Sequence, residues 1–166
     1  MEELRDRLRD RGTSRRSMVV PSAEPAVLEA VEILDEFGAM CEMLYLVMVA
    51  DRKMLNVERE VCRGALDVVS GGRVRTRHMD AMLDASARNV AKYGEAECFA
   101  RAVKALRGDP TLAEATVVLA AAVALADGTI VAEEQKLLAE LALGLDMAEE
   151  RAQQLLHDLA SGLGED

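Results

Sequence analysis

Two stretches of this chain repeat one another at a distance of 76 residues, and that repeat limits its fold more than any other feature. Residues 43–62, MLYLVMVADRKMLNVEREVC, align without a gap on residues 119–138, LAAAVALADGTIVAEEQKLL. In each, an apolar run closes on Ala-Asp (Asp51, Asp127). A glutamate stands seven residues further on (Glu58, Glu134), followed by Val61 and Cys62 in one copy and Leu137 and Leu138 in the other. An apolar run with no polar face has to be covered on every side. Two such runs in one chain can cover each other. The repeat therefore specifies an all-α fold, a single compact domain of seven to eight helices grown from a duplicated helix, acidic turn, helix unit.

Composition supports that reading. At 166 residues the chain is long enough for one substantial core. Aromatics make up 2% of it and Trp is absent, so the core has to be Leu, Val, Met and Ala, which favours helices. Proline stands only at positions 21, 25 and 110. Residues 1–22, rich in alternating Arg and acid, read as a mobile basic arm, and 23–166 as the helical domain, with the repeats spanning about 40–93 and 112–161. Periodicity predicts a long helix from Pro25 with Val27, Val31, Leu34 and Phe37 on its apolar face. Further helices are predicted over 56–69, with Val57, Val61, Ala65 and Val68 inward, and over 76–93, 96–106, 112–126, 132–142 and 148–160.

The second acidic turn, LADGTIVAEEQKLL, looks like most of a calcium loop. Asp127, Gly128, Ile130 and Glu134 fall where an EF-hand has its fifth, sixth, eighth and twelfth positions. Val123 and Leu125 then occupy the first and third, where carboxylates belong, so the stretch is not an EF-hand loop. A carboxylate at a helix C-terminus opposes the macrodipole at about 0.3–1 kcal/mol, and the chain makes that choice twice. Two offsets are open. Asp51 and Asp127 can accept backbone N–H groups while Glu58 and Glu134 sit in the favourable first turn of the next helix. Alternatively all four hold a divalent cation, with Gly128 and Glu133 supporting the turn. Ca²⁺ or Mg²⁺ would be the chemical choice, since every candidate ligand is oxygen.

Net charge is −10 but unevenly placed. Residues 73–108 carry +4 between two acidic blocks, −6 over 21–72 and −10 over 109–166. Arg73, Arg75, Arg77, Arg88, Lys92, Arg101, Lys104 and Arg107 could thus form a basic face toward a protein partner or an anionic membrane surface. An acidic chain almost without aromatics for base stacking argues against nucleic acid.

Catalysis finds little support. His78 and His157 have no triad or zinc-site companions at a telling spacing, and no phosphate-binding or nucleophile motif is present. Cys41, Cys62 and Cys98, widely spaced in apolar surroundings, read as reduced core thiols of a cytoplasmic protein. The longest uncharged run, residues 115–126, is too short to span a bilayer, and the N-terminus has no secretory apolar region.

The stretch ALADGTIVAEEQKLLAELALGLDMAEERAQQLL, with the weaker copy MVADRKMLNVEREVCRGAL, resembles the tellurite-resistance TerB-like family, whose domain also forms the N-terminal part of DjlA-type membrane-anchored co-chaperones. The resemblance covers about residues 37–159. It implies a small all-helical domain acting without catalysis, as an acidic, metal-binding adaptor in tellurite or stress-response systems linked to membrane complexes. The first copy departs from the pattern where Arg52 replaces the turn glycine and Lys53 comes next. A left-handed residue there would cost more than at Gly128.

Overall fold

The computed structural model describes residues 25–162, and the arm read over 1–22 lies outside them. Seven helices, and no strand, occupy the described residues: α1 Pro25–Met48, α2 Asn56–Ser70, α3 Thr76–Tyr93, α4 Glu95–Leu106, α5 Pro110–Ala124, α6 Ala132–Gly144 and α7 Glu149–Gly162. Their starts obey local chemistry. Pro25 opens α1, where its missing N–H has no intrahelical partner to lose. Asp109 caps α5 by accepting the N–H groups of Thr111 and Leu112, each at 3.1 Å, with Pro110 in the first position.

The centre of the fold is the pair α1 and α5. The second half of α1 buries Met40, Cys41, Met43, Leu44, Val47 and Met48. Almost every residue of α5 from Leu112 to Ala124 is buried, because α1, α2, α4, α6 and α7 all pack on it. Its many alanines let those backbones come close. The one buried hydroxyl on α5, Thr116, donates to the Leu112 carbonyl at 2.7 Å. The order of elements repeats as the sequence suggests, with α1, turn, α2 and α3 matched by α5, turn, α6 and α7. The helix after the turn of the first repeat, α2, packs chiefly on the apolar helix of the other repeat.

Three local readings need correction. The inward face of α2 is Glu58, Cys62, Leu66 and Val69, while Val57 and Val68 are exposed. The helix is turned by one position relative to its valine stripe because Glu58 has to fold back on the helix start, which fixes that side inward. Val27, Val31 and Leu34 are about half exposed, and burial on α1 begins at Ile33. Finally, α5 ends at Ala124, short of Asp127. Ala126 N–H bonds Val123 O and Gly128 N–H bonds Leu125 O, so a tighter three-residue winding replaces the last helical turn.

Arg52 has φ +65°, in the left-handed region that Gly128 enters at φ +89°. The repeat's turn geometry is kept even where the chain supplies a side chain that resists it. Thermal unfolding should therefore find Arg52→Gly stabilised by about 1 kcal/mol and Gly128→Ala destabilised by about the same amount. For a chain of this size that is a midpoint shift of about 2–4 °C in each direction.

Candidate functional site: two equivalent acidic turns

The two turns share their backbone bonds and caps, and Asp127 Oδ1 alone also accepts a hydroxyl, that of Thr129 at 3.2 Å. Asp51 Oδ1 accepts the Lys53 N–H at 2.8 Å, and Asp127 Oδ1 accepts the Thr129 N–H at 3.0 Å. Glu58 Oε2 accepts the Leu55 N–H at 2.8 Å, and Glu134 Oε2 accepts the Val131 N–H at 2.9 Å. The backbone does the same, with Arg52 N–H to Val49 O and Gly128 N–H to Leu125 O both at 2.9 Å. Each aspartate closes its turn and each glutamate caps the next helix. One oxygen of every carboxylate is used in this way.

The charges of the two turns also act on one another. Glu58 and Glu134 are each 5% exposed, although both are ionisable. Burial pushes the Glu58 carboxyl above its ordinary range, against the Leu55 N–H that favours the charged form. The charges of Glu134, Asp51 and Asp127 push it further. Burial likewise raises Glu134, opposed by the Val131 N–H and reinforced by Asp51, Asp127 and Glu133. Carboxylates 76 residues apart in sequence thus share one electrostatic environment. None of the four makes an ion pair among the described residues. Lys53, next to Asp51, contributes its backbone N–H.

Among the described residues, no three carboxylate, Cys or His side chains stand close enough to chelate a metal directly. The donor set is all oxygen, with the remaining oxygens on different turns. Ca²⁺ and Mg²⁺ are the ions whose chemistry an all-oxygen donor set would suit. Gly128 holds the second turn's left-handed corner, and exposed Glu133 adds charge beside Glu134.

The basic residues are placed differently from a free face. Arg73 pairs with Glu36 at 2.7 Å, Arg75 and Arg77 reach Glu29 at 3.7 and 3.9 Å, and Arg101 pairs with Glu42 at 3.2 Å. Arg107 meets Asp146 at 3.4 Å. Much of the basic segment therefore ties α3 and α4 to the acidic residues of α1. Lys92 lies over the Tyr93 ring at 4.7 Å, while exposed Arg88 and Lys104 complete the outward part of that surface.

One residue not singled out by sequence reasoning stands at the centre of this network. Glu42 is 9% exposed and accepts both Asn89 Nδ2, at 3.0 Å, and Arg101. The sequence does carry its signal, since it is the only charge between Phe37 and Ala50. A lone carboxylate inside an apolar helix requires a partner from elsewhere in the fold.

The family model described as tellurite resistance protein TerB matches residues 38–157. Searches of curated proteins and of solved structures gave no match. The matched segment runs from the middle of α1 into α7 and contains both acidic turns. With most of its length matched, the chain belongs to the tellurite-resistance TerB family.

Proposed function

We propose that this domain is a non-catalytic cytoplasmic adaptor of a tellurite or stress-response system linked to a membrane complex. Its paired acidic turns take up a divalent cation. The observation that supports this reading is that the glutamates capping the equivalent turns of the two repeats, Glu58 and Glu134, are ionisable yet only 5% exposed, and that neither they nor Asp51 and Asp127 have an ion-pair partner among the described residues. A repulsive arrangement retained in both repeats is relieved when a cation enters. Asp51, Glu58, Asp127 and Glu134 would hold it, and Ca²⁺ or Mg²⁺ would supply the compensating charge. No helix of the described residues is long and apolar enough to cross a membrane.

A second reading rests on the hydrogen bonds. Each of the four carboxylates has a backbone N–H to satisfy, and capping alone accounts for all of those bonds. Unfolding of EDTA-treated protein with and without millimolar Ca²⁺ or Mg²⁺ separates the two. The adaptor reading expects a higher midpoint with the ion, by linkage, and loss of that rise in Asp127→Asn. If the ions leave the midpoint unchanged while Asp127→Ala still costs about 0.5–2 kcal/mol, the turns are caps and the cation is discarded.

Protons compete with the cation for the same carboxylates. Because burial and mutual repulsion raise Glu58 and Glu134 in the fold, their contribution to stability is fully present below the ordinary value of 4.5. It is lost as pH rises through the raised values. Urea unfolding without metal should thus show that Glu134→Gln, which keeps the capping oxygen, gains stability over the parent at pH 7. That gain should shrink toward pH 4.5. A variant less stable than the parent at pH 7 would mean that its charge contributes favourably there.

A further inference from the structure

Helices α4 and α6 are pinched together at one point. A side chain on Gly144 would meet Val103 at 3.2 Å, and the Gly144 carbonyl accepts the Arg107 guanidinium. One turn away from the pinch, toward the N-terminal ends of both helices, lies a groove of about 380 Å³. Its floor is apolar, made by Leu46 and Ala50 from the end of α1 together with Phe99 and Leu137. Phe99 is one of only two phenylalanines, and it remains half-buried here while Phe37 is fully buried in the core. Leu143, 78% exposed, lies beside Gly144 at the pinch and adds an apolar side chain at that end of α6.

The rim is acidic. Glu95, Glu133 and Glu140 flank the floor, and the single cation, Lys136, is held by Glu140 at 3.8 Å. Two helix N-termini at about half a positive charge each still leave the rim net negative. At one end the groove adjoins the acidic turns, since Ala50 precedes Asp51 and Glu133 precedes Glu134.

We infer that this groove docks an amphipathic helix of a partner protein, one that presents aliphatic side chains to Phe99 and Leu137 and carries Lys or Arg along its flanks. An apolar floor between helices takes anchors at helical spacing, and no sheet edge is offered among the described residues for an extended peptide to join. The acidic rim selects the sign of the flanking charge and repels acidic partners. This rests on the adaptor reading and names its partner class, while leaving the cation independent.

The test uses the full-length ¹⁵N-labelled chain and a synthetic helical peptide of about 15 residues, with Leu along one face and Lys elsewhere. An isomer of identical composition with its leucines scattered is the control. Saturable amide shifts should cluster at Ala50, Phe99, Leu137 and Leu143 and be absent with the isomer. Affinity should fall about tenfold or more in Glu95→Lys, and likewise in the Glu133→Lys, Glu140→Lys double variant. Asp127→Asn should keep peptide binding, and Glu95→Lys, which lies outside the acidic turns, should keep any cation-dependent rise in midpoint, so the two readings fail separately. Equal binding of the isomer, shifts elsewhere on the molecule, or no saturation would each overturn the inference. Groove resonances that move on dilution alone would identify a second copy as the occupant and overturn it equally.

Discussion

The fold depends on two helices that have no polar side to give to water. The second half of α1 and nearly all of α5 are apolar all round, and each needs the other before further helices can close over them. The two belong to equivalent halves of a duplicated unit, and each ends in an equivalent acidic turn. Packing them together places the charges of Asp51, Asp127 and Glu134 where they act on Glu58, so that burial and these charges together hold its carboxyl above the ordinary range. The N-termini of α2 and α6, with the N–H groups of Leu55 and Val131, offset part of that cost.

A second electrostatic pattern obeys the opposite logic. Three other acidic residues of α1, Glu29, Glu36 and Glu42, are matched by Arg73 and Arg75 from the segment before α3, Arg77 of α3 and Arg101 of α4. These pairs are mostly at the surface and individually worth little, but Glu42 and Glu36 are largely covered, where a missing partner would be costly. The charge blocks along the sequence are therefore partly self-complementary. The C-terminal acidic block has few such partners: Lys136 is held by Glu140, Arg107 by Asp146, and Arg151 by Glu114.

Much of this is legible in the sequence for identifiable reasons. The helices come from uninterrupted apolar periodicity punctuated by Gly and Pro, and the duplicated turns from the Ala-Asp and Glu spacing. Periodicity misplaces the face of α2 because its valines form a cleaner stripe than the mixed Glu58, Cys62, Leu66 and Val69 that are buried. It weighs hydrophobicity and is blind to a carboxylate fixed inward by its own cap. Arg52 resists the left-handed corner by its chemistry, yet a local preference of about 1–2 kcal/mol yields to the geometry that two packed helices impose. The pairing of the arginines with α1, and the groove between α4 and α6, are tertiary facts with no local signature. Glu42 is the exception, a single charge in an apolar helix whose need for a partner can be read directly.

The central claim is that carboxylates from the two repeats act on one another. A double-mutant cycle on Glu58→Gln and Glu134→Gln, measured by urea unfolding at neutral pH without metal, tests it most directly. Each substitution keeps its capping oxygen and removes one charge, so once the first has relieved the shared repulsion the second should gain less. The account predicts that the double variant falls short of the sum of the single effects by more than about 0.5 kcal/mol. Additivity within about 0.3 kcal/mol would mean that the two turns do not sense each other, and the shared acidic site would have to be abandoned.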